Sequence, residues 1–313
     1  MPMVKAGRTS AETKILLIKL LSYAALLLLC AGASAGQTGA AKEKESRTAT
    51  AAARQDDAGR FRVTLTGFTV NRQTEDNILE TDGKGDEVFI LADVAQYDRY
   101  TQDLPGIPGA ATRLGYNDNL HGGGNVTLRR SLVSVVMGDV NNQNNPPRIQ
   151  AGSASSLGGL RTGDRFPTNE PWILSSEPTA DRPPMLLWEG ELRRGRDLVT
   201  IVPTVWEWDG GNAALRQQFA AEIDSYFSYV TRTDQNRGYV WRGLTGVDIF
   251  GAGDRPVGML ANGYWFPQAL MLNFDVAQRA ATTSPNDTGT GVVVLRYIAR
   301  SEDYSLYLKV ERR

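Results

Sequence analysis

Hydrophobic and polar residues alternate along much of the chain, a pattern that is typical of β-strands. The clearest case is the C-terminal stretch 304–311, in which every second residue is apolar: Tyr304, Leu306, Leu308 and Val310. Since a strand places successive side chains on opposite faces, these four residues are predicted to face the core. In the stretch that begins at Phe61, Val63 and Leu65 alternate with threonines and arginine, which predicts a second strand with one buried face.

Eight stretches of this kind are separated by Gly, Pro, Asn and Asp residues. They are 61–70, 87–94, 125–137, 186–192, 197–208, 268–276, 291–299 and 304–311. The stretch 291–299 is continuously apolar, which is typical of a strand that is buried on both faces. Many short strands with turn residues between them favour a sandwich or a barrel. We predict an all-β fold, an antiparallel β-sandwich of about eight strands.

One segment breaks the pattern and predicts a single inserted α-helix. Between Ala213 and Val230, apolar residues recur at every fourth position: Leu215, Phe219, Ile223 and Phe227. This spacing forms one stripe along a helix, and Asn212 is a plausible N-cap. Two long connections, 98–124 and 138–171, contain few strand signals. Connections of this length in compact domains are usually functional or disordered.

The N-terminus has the features of a secretory leader. A basic start precedes the apolar run Leu20–Leu29, and Ala33-Ser34-Ala35 offers small residues for cleavage. We predict a signal peptide over 1–35, a disordered linker over 36–59 and a single β-sandwich domain over 60–313. The protein is therefore expected to be exported, to the periplasm or the medium, and to contact a membrane only if the leader stays uncleaved.

Charge and cysteine content narrow the function classes. The leader carries four basic residues and one acidic residue, so its removal changes the net charge from −1 to −4. A mildly acidic chain argues against a nucleic-acid partner, which favours a basic surface. Cys30 is the only cysteine and would leave with the leader. The mature protein is thus expected to lack disulfides, so that its core alone must stabilise it.

Acidic residues stand out at three places in the chain. Asp82 and Asp86 flank Gly83-Lys84-Gly85, Glu207 and Asp209 follow a predicted strand, and Asp254 lies in the stretch GAGDRPVG. With one histidine and one cysteine, the chain lacks the usual zinc ligands. Oxygen ligands are abundant, so a hard cation such as Ca²⁺ is the metal that the composition favours.

The same stretches resemble the calcium-loop segments of C2 domains. GKGDEVFI is similar to the first loop of that family, EWD to its third loop, and GDRPVG to the stretch that follows. The resemblance implies an eight-stranded sandwich that binds Ca²⁺ and often anionic lipid. It also implies a set of five calcium ligands: Asp82, Asp86, Glu207, Asp209 and Asp254.

Other interpretations of these residues stay open. Asp-Gly-Lys-Gly-Asp also suits a tight turn, and Glu207 with Asp209 could favour the positive end of the following helix. The HGGG stretch at His121 resembles a hydrolase oxyanion loop, but no G-x-S-x-G accompanies it. Tryptophans could form a sugar-stacking row or lie in the core.

These observations favour an exported, non-catalytic binding protein that acts at the cell envelope, with Ca²⁺ as a possible cofactor. Its partner is expected to be an envelope component or a protein, neither of which the sequence identifies. A carbohydrate- or envelope-binding module is the alternative, and a hydrolase is a third interpretation.

Overall fold

The computed structural model describes only part of the chain, which divides into two compact units, Met1–Ala51 and Ala52–Arg313. All described residues lie in the second unit. They are 58–74, 85–103, 111–114, 126–130, 135–138, 147–153, 159–194, 197–208, 213–231, 254–260, 265, 267–284, 287–299 and 302–313. The predicted leader and most of the predicted linker lie outside them, but the first strand begins at Ala58, two residues before the predicted start of the domain.

The first sheet, sheet I, is built around the N-terminal and C-terminal strands of the domain. Its strands are β1 (Ala58–Arg72), β7 (Arg165–Phe166), β8 (Met185–Arg193), β12 (Val292–Ile298) and β13 (Asp303–Arg312). β1 pairs with β13 on one side and with both β7 and β8 on the other, and β12 pairs with the far side of β13. All of these pairs are antiparallel.

The second sheet, sheet II, is built on a long central pair of strands. Its strands are β2 (Val88–Asp103), β3 (Ala111–Leu114), β4 (Val126–Arg130), β5 (Val136–Met137), β6 (Arg148–Ile149), β9 (Asp197–Glu207), β10 (Arg255–Pro256) and β11 (Leu270–Leu272). β2 pairs with β9 along the whole length of β9. β10 and β11 extend the sheet beyond β9, and β3, β4 and β5 pair with β2. Only β5 and β6 pair in parallel among the described strands.

The two sheets bury one shared hydrophobic core, and the predicted all-β sandwich is confirmed. The four alternating residues of β13 are buried as predicted, with at most 1% of their surface exposed: Tyr304, Leu306, Leu308 and Val310. They pair with Val70, Phe68, Leu65 and Val63 of β1, which are buried as well. Alternation in the sequence therefore identified the inner face of sheet I.

The predicted helix forms a third layer on sheet II. α1 (Ala213–Thr231) buries Phe219, Ile223 and Phe227. The ring of Phe219 lies 5.7 Å from that of Trp206 on β9 and 5.3 Å from that of Trp265. The helix thus packs on the end of β9 at Trp206, and every residue of β9 is buried. The helix prediction is thus confirmed, while its N-cap, Asn212, lies outside the described residues. No helix in the described ranges is long and apolar enough to cross a membrane.

The prediction of a strand over 268–276 is wrong for its second half. β11 ends at Leu272, and a second helix, α2 (Phe274–Thr282), follows directly. Asn273 caps this helix, since its side-chain oxygen accepts a hydrogen bond from the backbone nitrogen of Val276 at 2.9 Å. Phe274 and Ala277 then fall on one buried face of a helix, whereas Phe274 alone continues the alternation of Leu270 and Leu272.

Two predictions about burial are wrong, because the burial of these strands depends on their position in the sheet and the sequence pattern does not give that position. The stretch 291–299 was predicted to be buried on both faces, yet β12 is an edge strand in which Arg296 and Ile298 are exposed. Conversely, β1 was predicted to expose one face, but Thr64 and Thr66 are fully buried. β1 lies in the middle of sheet I, and further chain covers its outer face.

Strands also occur where connections were predicted. The stretch 125–137 forms two separate strands, β4 and β5, instead of one. β2 continues to Asp103 and β3 follows within the predicted connection 98–124, while β6 and β7 lie within 138–171. Each of the three added strands has only two to four residues, which is too short for a periodic signal in the sequence.

Candidate functional site

A group of polar residues, here called the polar cluster, occupies one end of the sandwich, and all of its members except the half-buried Arg255 are buried. It comprises Thr74, Asp86, Glu207, Arg255, Glu302 and Tyr304. Thr74 follows β1, Asp86 precedes β2, Glu207 ends β9 and Glu302 precedes β13. Strands from both sheets therefore bring together residues that are far apart in the sequence.

The hydroxyl of Thr74 is the central contact of the polar cluster. Its Oγ1 lies 2.9 Å from Oδ1 of Asp86 and 2.5 Å from Oε1 of Glu207. Thr74 and Asp86 are each 2% exposed, and Glu207 is 5% exposed. The two carboxyl groups are thus linked through a single hydroxyl group that is shielded from water.

Asp86 is fixed by further hydrogen bonds. Its Oδ2 accepts one from the backbone nitrogen of Thr74 at 2.8 Å and one from the hydroxyl of Tyr304. Burial raises the pKa of the Tyr304 hydroxyl well above its usual value, and the neighbouring Asp86 raises it further. Tyr304 therefore stays protonated and acts as a donor across the physiological pH range.

Arg255 joins two carboxyl groups of the polar cluster. Its Nη2 forms an ion pair with Oε2 of Glu207, and its Nη1 lies 3.4 Å from Oε2 of Glu302. The other oxygen of Glu302 accepts hydrogen bonds from the backbone nitrogens of Gly258 and Met259. Burial raises the pKa of Glu302, an effect that Arg255 opposes.

Asp254 lies next to the polar cluster but pairs with another residue. It is fully buried, and its Oδ2 lies 3.2 Å from Nε of Arg216 on α1. The guanidinium of Arg216 also lies 6.0 Å from the ring centre of Phe89 on β2. The Asp254–Arg216 pair thus connects α1 to the start of β10 and to sheet II.

The structure describes three of the five predicted calcium ligands, and Asp82 and Asp209 lie outside the described residues. Asp86 and Glu207 come together through Thr74, whereas Asp254 pairs with Arg216. Within the described ranges, no group of three or more His, Cys, Asp or Glu side chains could hold a metal ion. The described carboxylates contact hydroxyls and arginines and do not form a calcium cage by themselves.

Sequence reasoning missed the partners of these carboxylates. Thr74 and Tyr304 carry no motif, and Arg255 was quoted only as part of the GDRPVG stretch. The adjacency of Arg255 to Asp254 in the sequence would not have identified them, because Asp254 pairs with Arg216 and Arg255 pairs with Glu207 and Glu302.

The segment 159–184 forms a second notable feature, because it is mostly irregular and yet held by many hydrogen bonds. Val70 and residues 163–164 exchange two backbone hydrogen bonds, at 2.7 and 2.9 Å. Oδ2 of Asp164 accepts hydrogen bonds from the backbone nitrogens of Ser153 and Arg161. Gly67 of β1 permits a close approach, since a Cβ there would lie 2.7 Å from Cβ of Pro171. The segment is therefore packed firmly on the outer face of sheet I.

This segment presents aromatic, cationic and aliphatic side chains together. The ring of Trp172 packs edge-to-face on Tyr307 at 5.6 Å, and the guanidinium of the exposed Arg165 lies 5.4 Å from the Trp172 ring centre. The neighbouring Ile173 is 48% exposed. This combination is typical of contact residues in binding surfaces.

The other predicted sites receive less support from the described residues. Trp188, Trp206 and Trp265 are buried in the core, and Trp172 and Trp208 are half-buried, each with an arginine over its ring. No exposed row of tryptophans therefore occurs within the described part of the chain. Trp241 and the HGGG stretch with His121 lie outside it.

Comparison with known proteins gives no relative: no family model, no curated protein and no solved structure matches the chain. The contacts of the polar cluster and of the 159–184 segment are therefore the basis for a functional proposal.

Proposed function

We propose that this protein is an exported, non-catalytic binding protein that recognises an envelope component through the 159–184 segment. The observation that carries the proposal is a 26-residue, mostly irregular segment that is anchored to β1 and exposes Ile173 beside Trp172 and Arg165. The leader-like N-terminus supports export.

Three physical arguments support recognition by this segment. Long irregular connections in compact domains are uncommon and are usually functional or disordered, and the hydrogen bonds of this segment favour the first of these. A surface that is already fixed by hydrogen bonds loses little conformational entropy when it binds, which favours affinity. Tryptophan and arginine are moreover the residues that most often dominate binding energy.

The carbohydrate-binding alternative uses the same segment with a different contact. A sugar ring would stack on Trp172, whose free face is limited by Arg165 and by Tyr307. A protein partner would bury Ile173 as well. Soluble envelope glycans should compete for binding if the segment recognises a carbohydrate, and should not compete if it recognises a protein.

Ile173→Lys is expected to weaken binding to isolated envelopes of the producing organism by about tenfold or more, which corresponds to about 1.4 kcal/mol. The substitution removes the apolar surface that Ile173 would bury against the partner. The lysine ammonium group would also have to lose its hydration when the partner binds, which is unfavourable. Sedimentation of the labelled protein with envelopes, over a range of envelope concentrations, measures the change.

The matched control is Met271→Lys, which places the same charge at a similarly exposed apolar residue of sheet II. Met271 is 40% exposed and lies on β11. Its replacement should leave envelope binding within twofold of the wild type. Equal losses from both substitutions would contradict a role for the 159–184 segment.

A calcium-binding version of this module is the second candidate. It is favoured by the position of Asp86 and Glu207, which share one hydroxyl at a single end of the sandwich. Asp82 and Asp209 would have to complete the ligand set, as the C2 resemblance implies. Because Ca²⁺ prefers six to eight oxygen ligands, two carboxylates alone would not hold it.

Calcium binding predicts a higher melting temperature in millimolar Ca²⁺ than in chelator. Ligand at a hundredfold excess over Kd stabilises the native state by about 2.7 kcal/mol, or about 2–4 °C for each kcal/mol in a domain of this size. Asp209→Asn should abolish the shift. An unchanged melting temperature would reject calcium without affecting the envelope-binding proposal.

A further inference from the structure

Arg165 is an exposed cation that the fold holds in place at two points. Its Nη1 donates a hydrogen bond to the backbone oxygen of Asn169 at 2.7 Å, and its guanidinium lies 5.4 Å from the ring centre of Trp172. Phe166, the next residue of β7, stacks on the core residue Phe68 at 5.6 Å. Since successive side chains of a strand point to opposite faces, Arg165 is directed away from the core.

The guanidinium of Arg165 still has hydrogen-bond donors to offer. Among the described residues it forms no ion pair, and its one hydrogen bond goes to Asn169. A guanidinium binds a carboxylate most strongly through two parallel N–H groups. Arg165 therefore presents the donors that such a contact needs, on a side chain whose position is already fixed.

Arg194 shows a similar arrangement in which the carboxylate is present. Its guanidinium lies 4.6 Å from the ring centre of Phe274, and its Nε lies 3.0 Å from Oδ1 of Asp275. Both arginines are exposed and both lie over an aromatic ring. Arg165 and Trp172 thus repeat the stacked cation of Arg194 without its carboxylate, which leaves a place for an anionic group of a partner.

We propose, on the basis of the function proposed above, that the envelope partner is a protein that places a carboxylate on Arg165 and an apolar side chain on Ile173. Ile173 is 48% exposed and follows Trp172 directly in the chain. One acidic and one apolar side chain of the partner would therefore meet the cation and the aliphatic surface of the 159–184 segment together.

The charges of the segment favour a single carboxylate over a polyanionic surface. Residues 159–184 contain three arginines and four acidic residues, which gives a net charge of −1. Anionic lipids attract clusters of Lys and Arg, and the acidic residues of this segment would repel a surface that carries many negative charges. An aspartate or glutamate of a protein brings one negative charge, which Arg165 alone matches.

Arg165→Gln and amidation of the envelopes test the two sides of this contact. Glutamine can still donate to the Asn169 oxygen but carries no charge, and treatment with a carbodiimide and ethanolamine converts envelope carboxylates into neutral amides. Each change alone should weaken envelope binding by about tenfold, the size expected for hydrogen bonds between charged groups. Both together should weaken binding no further than either one, because they remove the same interaction.

Amidation acts on the wild type and does not depend on the folding of a variant. Wild-type binding that survives amidation unchanged would overturn the proposal. So would amidation that weakens the binding of Arg165→Gln as much as that of the wild type, since the carboxylates would then contact other residues.

Protease digestion of the envelopes tests whether the carboxylate belongs to a protein. Digestion should abolish wild-type binding, and soluble envelope glycans should not compete. Binding that survives digestion would overturn the assignment to a protein and would favour an acidic polysaccharide or a lipid.

Arg194→Gln is the matched control, because Asp275 already pairs with that arginine. Its binding to untreated envelopes should stay within about twofold of the wild type, since surface ion pairs of this kind contribute little, and it should show the full loss on amidation. Ile173→Lys separates the two proposals. If Ile173→Lys weakens binding and Arg165→Gln does not, only the carboxylate contact is refuted, and if neither weakens binding, recognition by the segment is refuted as well.

Discussion

Leu306→Ala is expected to lower the free energy of unfolding by about 2–5 kcal/mol, the range for truncation of a fully buried leucine. Leu306 is fully buried at the centre of β13. It pairs with Phe68 on β1 and with Leu295 on β12, and it belongs to the hydrophobic core that residues of both sheets form. Removal of three carbon atoms there would leave a cavity that neighbouring strands cannot close.

Lys309→Ala tests the opposite face of the same strand. Lys309 is only half-buried, and its ammonium group donates a hydrogen bond to the backbone oxygen of Thr290. Its truncation should change the free energy of unfolding by no more than about 0.5 kcal/mol. Urea denaturation of both variants gives the two values, and similar losses from both would contradict the assignment of the inner face.

The inner face of sheet I was predictable because it depends on local alternation alone. Tyr304, Leu306 and Leu308 face inward in any sheet that buries one face of this strand. The burial of Thr64 and Thr66 was not predictable in this way, since it depends on the position of β1 between β13 and β8 in the middle of sheet I. The edge position of β12 likewise follows from the pairing order of strands, which alternation does not contain.

The α2 helix shows a different limit of the sequence pattern. Leu270, Leu272 and Phe274 alternate as in one continuous strand, and nothing in this spacing marks a break at Asn273. The N-cap hydrogen bond of Asn273 ends the strand and starts the helix. Asparagine is a common N-cap residue. Asn273 was therefore a signal for the start of a helix, which opposed the signal for a continuous strand from alternation.

The candidate site was predictable only in its acidic residues. Asp86 and Glu207 stood out because each lies at the end of an apolar strand, and antiparallel pairing of β2 with β9 brings these ends together. Thr74, Arg255 and Tyr304 come from three other parts of the chain. These three residues come close to Asp86 and Glu207 only because of how the two sheets pack on each other. Alternation in the sequence does not contain that packing arrangement.

Arg255→Met is expected to lower the free energy of unfolding near pH 8 by up to about 3–5 kcal/mol, the cost when one partner of a buried ion pair is removed, since both carboxyl groups are buried although the Arg255 side chain is 25% exposed. Methionine retains much of the apolar stem of arginine but removes its charge. Glu207 and Glu302, whose side chains are 6% and 1% exposed, would then remain buried without their cationic partner. Burial of a carboxylate that has lost its cation is strongly unfavourable.

The dependence of this loss on pH separates the charge effect from a packing defect. Arg255 lowers the pKa of Glu302 against the larger, opposite effect of burial, so the variant should bind protons at Glu302 more readily than the wild type. The deficit should therefore shrink between pH 8 and pH 5. Arg194→Met is the control, because Arg194 pairs with Asp275 at an exposed position, where ion pairs contribute about 0–1 kcal/mol. A loss at Arg255 that equals the loss at Arg194, or that stays constant with pH, would show that Arg255 does not neutralise the buried carboxylates.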